Sequence, residues 1–300
     1  MPQTEGFLNL LKPPGITSHD AVAKVRRILG TRSVGHAGTL DPAATGVLPM
    51  AIGKATRLLE YVVRTNKAYI GEATFGFQTD TLDQEGQIES EMPACFSHAE
   101  LSRAMASLIG SQLQSPPAFS AVKYQGKPLH EYARQGELIF LPGREIVIDQ
   151  FRLLSFSPGA HPRALFRVDC SKGTYIRVMV KDLASALQTV ATLTFLLRVS
   201  VGGFSVQDAV SLEELEVART TGRLSDYLQT IDSAIRHLPV VELGLIDAER
   251  FVTGQAVATS ADTAELARVY QHGRLLGIGR CTGQRLVPHK VLASREELAR

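Results

Sequence analysis

Gly35-His36-Ala37-Gly38-Thr39-Leu40-Asp41-Pro42, continued by Ala43-Ala44-Thr45-Gly46-Val47-Leu48-Pro49, sets three glycines, two prolines, one histidine and one carboxylate between a basic helical segment and an apolar run. Glycine permits backbone angles closed to other residues, and proline fixes its own. Pro42 also pushes Asp41 away from helical angles toward an extended conformation. An acid on so stiff a loop is either held for chemistry or is turn punctuation, because Asp-Pro after a Gly-rich stretch is ordinary turn chemistry. The flanking sequence has to decide between the two.

Upstream, Phe7 to Leu11 has the apolar run of a short strand, closed by the rigid turn Lys12-Pro13-Pro14-Gly15, which lacks phosphate-loop spacing. Thr17 or Ser18 caps a helix to about Leu29, with Asp20 in its first turn, Val22, Val25 and Leu29 as its buried stripe and Gly30 as its stop. Ser18-His19-Asp20 holds the letters of a hydrolase triad, but adjacent helical residues point in different directions. Downstream, Val47 to Ile52 reads as a strand and Lys54 to Val63 as a helix. Lys67 to Phe77 reads as a long strand with Tyr69, Ala73, Phe75 and Phe77 on one face. The acidic turn Gln78 to Gly86 lacks calcium-loop spacing. Residues 97–110 form an amphipathic helix with Leu101, Met105 and Leu108 inward.

Ser115 to Lys127 mixes prolines, aromatics and cations and leads into a short helix, Leu129 to Gln135. Such a segment is either a grip on a nucleic-acid backbone or a plain surface excursion. Ala164 to Cys170 is another alternating strand. Thr174-Tyr175-Ile176-Arg177 then opens a helix whose core side is Ile176, Met179, Val180, Leu183 and Leu187. Arg177 lies at the wrong end for the helix dipole, so it is either a surface arginine or one with a compensating carboxylate. Leu193 to Leu197 is a short apolar run, and 205–236 is helical and charged. From Leu238-Pro239-Val240-Val241 onward the texture is β, with Gly273, Gly277, Gly279 and Gly283 spaced among alternating apolar residues as in a small barrel of hairpins.

Composition bounds the class. The chain has 300 residues, 44% of them hydrophobic and 21% charged, which fits a globular protein of two unequal domains. No window approaches a membrane span and the N-terminus lacks a secretory pattern, so a cytoplasmic protein with no membrane contact is expected. Cys95, Cys170 and Cys281 are far apart, and neither they nor the eight histidines have metal spacing, so no metal is expected. The net charge is only +2, but residues 1–75 carry nine Lys or Arg against five acids, either a site for a polyanion or a solvated face.

Six stretches share an order and spacing: Lys12-Pro13-Pro14-Gly15-Ile16-Thr17-Ser18, the Gly35 to Pro42 loop, Lys67-Ala68-Tyr69, Thr79-Asp80-Thr81-Leu82-Asp83, Tyr124-Gln125-Gly126-Lys127 and Gly173-Thr174-Tyr175-Ile176-Arg177. In these, residues 6–205 resemble the bacterial TruB-type tRNA pseudouridine synthases; the tail resembles that family's PUA-like RNA-binding domain more loosely. The resemblance implies an α+β fold, with a mixed, largely antiparallel central sheet flanked by helices and a small β-rich C-terminal domain. Its catalytic domain would span 1–237, with an RNA-gripping insertion at about 116–146, and the PUA-like domain 238–300.

The activity implied is isomerisation of the T-loop uridine at position 55 of tRNA to pseudouridine, by a monomer that binds the T-arm. The uracil leaves N1 and rejoins the ribose through C5, a step that is neither redox nor hydrolytic, so no cofactor is implied. By resemblance Asp41 is the nucleophile, Arg177 its cationic partner, Tyr69 a platform under the uracil and Leu196 an apolar wall. His36 would occupy the space vacated by the flipped base. The resemblance also implies Tyr175 in the substrate site, and Lys12, Arg57, Lys67, Lys123 and Lys127 are the expected phosphate contacts. Thr192 stands where the family usually has histidine and Leu197 where it usually has arginine. Two other classes compete: a tRNA-binding or folding chaperone in which catalysis is secondary, and a hydrolase pairing Asp41 with His36, for which no second carboxylate is evident.

Overall fold

The computed structural model describes residues 5–63, 65–259 and 265–298. The chain opens with β1 (Gly6–Lys12), α1 (Ser18–Leu29), β2 (Val34–His36) and β3 (Thr45–Ile52). Thr17 caps α1 in a reciprocal capping box with Asp20, and Gly30 ends the helix in the left-handed conformation at φ 65°. Ile28, not Leu29, completes its buried stripe with Ala21, Val22 and Val25. The helix expected over Lys54–Val63 is a 3-10 segment, Gly53–Leu58, running into a short α2 (Leu59–Val63).

β4 (Lys67–Phe75) stops two residues short of the expectation. At Gly76 φ is 106°, and a Cβ there would lie 2.8 Å from the His161 ring. Phe77 therefore begins a separate hairpin, β5 (Phe77–Thr79) with β6 (Ile88–Glu91), whose connecting turn holds Thr81 and Asp83. Then come α3 (His98–Ser107), β7 (Gly110–Gln114), the small hairpin β8 (Lys123–Tyr124) with β9 (Lys127–Pro128), and α4 (Leu129–Ala133). β10 (Arg144–Ser157), β11 (Arg163–Cys170), α5 (Ile176–Ala186), β12 (Ala191–Val201), β13 (Phe204–Ser205), α6 (Leu212–Thr220) and β14 (Leu228–Gln229) complete this unit.

Among the described residues ten strands form one mixed sheet, in the order β14-β1-β3-β12-β4-β11-β10-β7, with β2 added to β3 and β13 to β12. All of its pairings are antiparallel except β12 against β3. That parallel contact is two residues long, Leu197 beside Thr45 and Arg198 beside Gly46. Gly46 is obligatory there: φ is 112° and a Cβ would lie 2.3 Å from the Arg198 carbonyl oxygen. The junction sets the end of the Asp41 loop directly against β12. A large core under α1 and α5 contains Val25, Tyr69, Phe75, Phe166, Val180 and Leu183.

The tail holds β15 (Val240–Glu242), α7 (Leu245–Val252), β16 (Val257–Ala258), β17 (Leu266–Gln271), β18 (Arg274–Thr282), β19 (Arg285–Val291) and α8 (Arg295–Leu298). Its five strands form one sheet, in the order β15-β17-β18-β19-β16, with a core of its own around Phe251, Val269 and Leu286. A second core crosses to the larger unit, joining Ile278 and Leu292 to Phe7, Leu58, Tyr61 and Ile235. Ion pairs Lys54–Glu297 (2.5 Å) and Glu60–Lys290 (2.8 Å) border that contact.

Candidate active site

The Asp41 loop is held from three sides. Ser18, at the start of α1, donates its hydroxyl to the Leu40 carbonyl (3.0 Å) and accepts from the Leu40 N–H (2.9 Å), both buried. Lys12 donates from Nζ to the carbonyls of Pro13 (2.9 Å), Pro42 (3.1 Å) and Ala44 (2.8 Å). Arg198 reaches from β12 to the carbonyls of Val47 (2.7 Å), Gly38 (3.0 Å) and Thr39 (3.3 Å). Ser18 thus acts through its own hydroxyl as a pin, with no triad around it.

Asp41 and Arg177 meet as expected. Arg177 Nε lies 2.9 Å from Asp41 Oδ2 and 3.5 Å from Asp83 Oδ2. Its Nη1 donates to the Thr81 carbonyl (2.8 Å) and its Nη2 to the Phe119 carbonyl (3.0 Å). The guanidinium therefore ties together the Asp41 loop, the β5–β6 turn and the stretch before β8. Asp83 is a second carboxylate at the site, one that was not evident from the sequence. Thr81 Oγ1 (2.7 Å) and the Glu85 N–H (3.0 Å) both donate to its Oδ1. Its signal in the sequence was the acid-dense turn, which spacing could exclude as a calcium loop but could not dock onto Arg177.

Asp41, Tyr69, Arg177 and Leu196 line one cleft of about 560 Å³, with Tyr175 and Lys67 also in its wall. Asp41 keeps 39% of its side-chain surface, open to the cleft, against 5% for Arg177. The protein packed around that opening pushes the Asp41 carboxyl above the usual carboxylate range; Arg177 works in the opposite direction and offsets only part of the shift. Burial pushes the Tyr69 hydroxyl up to about 12, Arg198 acting against it, so Tyr69 is a neutral phenol. Tyr175 heads α5, and Gln114 clamps it by accepting from its N–H (2.7 Å) and donating to its carbonyl (3.2 Å).

The lysines divide differently from the expectation. Lys12 is fully buried and spends its ammonium on three carbonyls, so it is a clasp on the loop and not a phosphate contact. Lys67, 8% exposed, donates to the carbonyls of Val63 (3.1 Å) and Thr65 (2.8 Å) beside the cleft. Desolvation pulls both lysines down to about 8. Arg57 bonds the Val291 carbonyl (2.5 Å) and so fastens the tail. Lys123 is exposed on β8, and Lys127 lies over the Tyr132 ring and donates to Gln135 (2.9 Å); neither lines the cleft.

His36 is half-buried, edge-on to His19 with ring centroids 5.6 Å apart, and does not line the cleft. Burial first, then His19 and Arg198, hold it down to about 4, so it is neutral. Arg198 is, with Asp83, a site residue that sequence reasoning missed. It is 1% exposed, lines the cleft and holds the loop, but in the sequence it is one arginine in an apolar run. Thr192, the departure from histidine, is fully buried; its hydroxyl donates to the Phe77 carbonyl (3.1 Å) and accepts from the Thr79 N–H (3.2 Å). Among the described residues no group of acids, histidines and cysteines could hold a metal ion, and no helix is long and apolar enough to cross a membrane.

Comparison with known proteins places this geometry. Residues 26–176 match the family model described as TruB family pseudouridylate synthase (N terminal domain), and residues 239–292 match that of pseudouridine synthase II TruB, C-terminal. The tRNA pseudouridine synthase B of Trichormus variabilis is 40% identical over 290 residues, covering 96% of this chain and 98% of its own length. That of Streptococcus agalactiae is 41% identical over 293 residues, with 96% and 99% covered. Among solved structures, a chain of a Cbf5-Nop10-Gar1 complex superposes with a TM-score of 0.75 at 25% identity, covering 98% of this chain and 86% of that one. A chain of the archaeal box H/ACA sRNP Nop10-Cbf5 complex shares the fold with a TM-score of 0.74 at 21% identity, covering 98% and 88%.

Proposed function

The chain belongs to the TruB family and is a pseudouridine synthase acting on tRNA, and from that premise we propose that it isomerises the T-loop uridine at position 55 with Asp41 as nucleophile. The observation that carries this reading is the Asp41–Arg177 pair, 2.9 Å apart in a cleft walled by Tyr69 and Leu196. A carboxylate at such a place can carry one reacting fragment while the base is loose. It must be ionised to do so, and Arg177 opposes the burial that would keep it protonated.

The target base lies within a folded loop and has to leave its stack before it reaches Asp41. The cleft of about 560 Å³ is large enough for a nucleoside. Tyr69 lies under the base as a neutral aromatic platform, and His36, also neutral, fills space in the RNA by shape. The exposed Lys123 and the tail supply contacts to the tRNA backbone. The enzyme works in the cytoplasm as a monomer.

Incubating the protein with unmodified tRNA transcript, labelling pseudouridine chemically and mapping the stops tests the reading. A stop at the T-loop uridine is expected, and its absence would overturn the assignment. Asp41→Ala should remove the product and leave tRNA binding nearly unchanged, which separates the enzyme from a chaperone whose catalysis is secondary.

A further inference from the structure

On its β3 side, β12 is attached at Leu193, which bridges Asp83, and again at Leu197 and Arg198. Between those attachments, Thr194 to Leu196 border a small recess that also touches Ala43, Ala44 and Gln84, with Asp41 and Arg177 in its wall. The pairing of β12 with β4 slips by one residue at this point, so that Leu193 opposes Ala73 but Phe195 opposes Glu72. Strict alternation would send residue 195 to the side of Leu193, which is 3% exposed in the core. The extra residue, Thr194, resets the phase. It turns Leu196 into the cleft opposite Gly71 and turns Phe195 outward, leaving it 42% exposed. Bulges beside active sites re-aim side chains in this way. Here the result is a part-exposed aromatic ring, turned away from Leu196, that borders the recess Asp41 and Arg177 also line.

We propose that Phe195 is a stacking platform for a nucleobase of the tRNA next to the uridine in the cleft; the proposal rests on the function above. Phe195 borders a recess whose wall also holds Asp41 and Arg177, which places the ring near the reacting nucleotide. Drawing one base out of a stack uncovers the faces of its neighbours. An aromatic ring accepts any of them, because every base presents a π face.

Steady-state isomerisation of unmodified tRNA transcript by variants at this position tests the proposal. Phe195→Ala should raise KM about ten-fold, equivalent to ~1.4 kcal/mol and inside the ~1–3 kcal/mol of one stacked base, with kcat and melting temperature unchanged. Phe195→Trp should keep the parent KM, and Phe195→Leu, apolar but without a ring, should behave like alanine. Transcripts carrying 2-aminopurine beside the target uridine should be quenched on binding the parent chain and not on binding Phe195→Ala. An unchanged KM in Phe195→Ala, a full rescue by leucine, or a parent dimer that Phe195→Ala dissociates in sedimentation would each overturn the proposal. A parent chain that forms no pseudouridine would overturn the functional reading instead, so the two failures are distinguishable.

Discussion

Replacing Thr192 by valine isolates what one hydroxyl does for the site. The side chain keeps its shape and loses a group that is fully buried, accepts from the Thr79 N–H at 3.2 Å and donates to the Phe77 carbonyl at 3.1 Å. Leaving a buried donor without a partner costs about 1–3 kcal/mol, and in a chain of this size each kcal/mol moves the melting temperature by roughly 2–4 °C. A drop of about 2–12 °C follows from those two figures. The same hydroxyl laces the β5–β6 turn to β12, alongside the Leu193 N–H bond to the Leu82 carbonyl (3.1 Å). That turn supplies Thr81 and Asp83 to Arg177, so loosening it misplaces the cation beside Asp41. Because a displacement of ~1 Å costs up to about 100-fold in rate, kcat should fall by about ten-fold or more while KM stays within about two-fold. Thr192→Ser, which keeps the hydroxyl, should retain both kcat and stability. Melting and steady-state kinetics of the two variants decide it: a valine variant with parental melting temperature and kcat would refute the reasoning.

Three further outcomes are expected. Lys67 is pulled down to about 8 from an ordinary 10.5, so between those values the unfolded chain binds more protons and the fold gains stability as pH rises; melting curves of Lys67→Met from pH 7 to 10.5 should lack that share of the rise, and an identical profile would refute it. Asp41 is shifted the other way. Its folded carboxyl holds its proton more tightly, so its contribution favours the fold below the ordinary carboxylate value and is lost as pH rises through the shifted one. Asp41→Asn should therefore abolish product yet melt above the parent at pH 7, with the gap closing below about pH 4; an asparagine variant that melts lower at pH 7 would show that the Arg177 pair outweighs burial. Ending the chain at residue 237 would bare the Leu58, Tyr61 and Ile235 faces now covered by Ile278 and Leu292. Such a chain should melt lower and aggregate as well as bind tRNA more weakly, and an unchanged melting temperature would contradict the shared core.

Elements with local signals were legible: the capped α1, the alternating β11 and the apolar stripe of α5 follow from residues within one or two turns of each other. β10 was not, because two register shifts break its period of two and it leaves Leu154 50% exposed on the outer side. β12 was read only in its apolar middle, since its ends carry Thr192, Arg198 and Ser200, whose burial depends on partners distant in sequence. In the site, Asp41 with Arg177 was legible through motif order. Arg198 and Asp83 were not, because what gives each a role is a carbonyl or a guanidinium on another element. Lys12 was illegible for a related reason. A sequence shows a cation but not whether folding turns it to solvent or, as with Lys12, inward onto three carbonyls.

The buried charges explain why the site should be costly and why it is kept. Among the described residues, the charged side chains below a tenth exposed are Lys12, Lys67, Arg177, Arg198 and Asp83, and all five surround the Asp41 loop and its cleft. Four are cations against one anion, with partly open Asp41 and exposed Glu85 as the other carboxylates. Burying unequal charge opposes folding, and desolvation duly lowers Lys12, Lys67 and Arg198. A fold selected for stability alone would place apolar residues there. The excess of positive charge instead acts on whatever enters: it favours an ionised Asp41 against its own burial, and it gives a polyanion a favourable field at the cleft where the protein also presents Tyr69 and Leu196. Backbone carbonyls of the loop, rather than further acids, satisfy Lys12 and Arg198. That choice keeps the field positive while holding the nucleophile rigid, because the groups that solvate the cations are the same segment that carries Asp41.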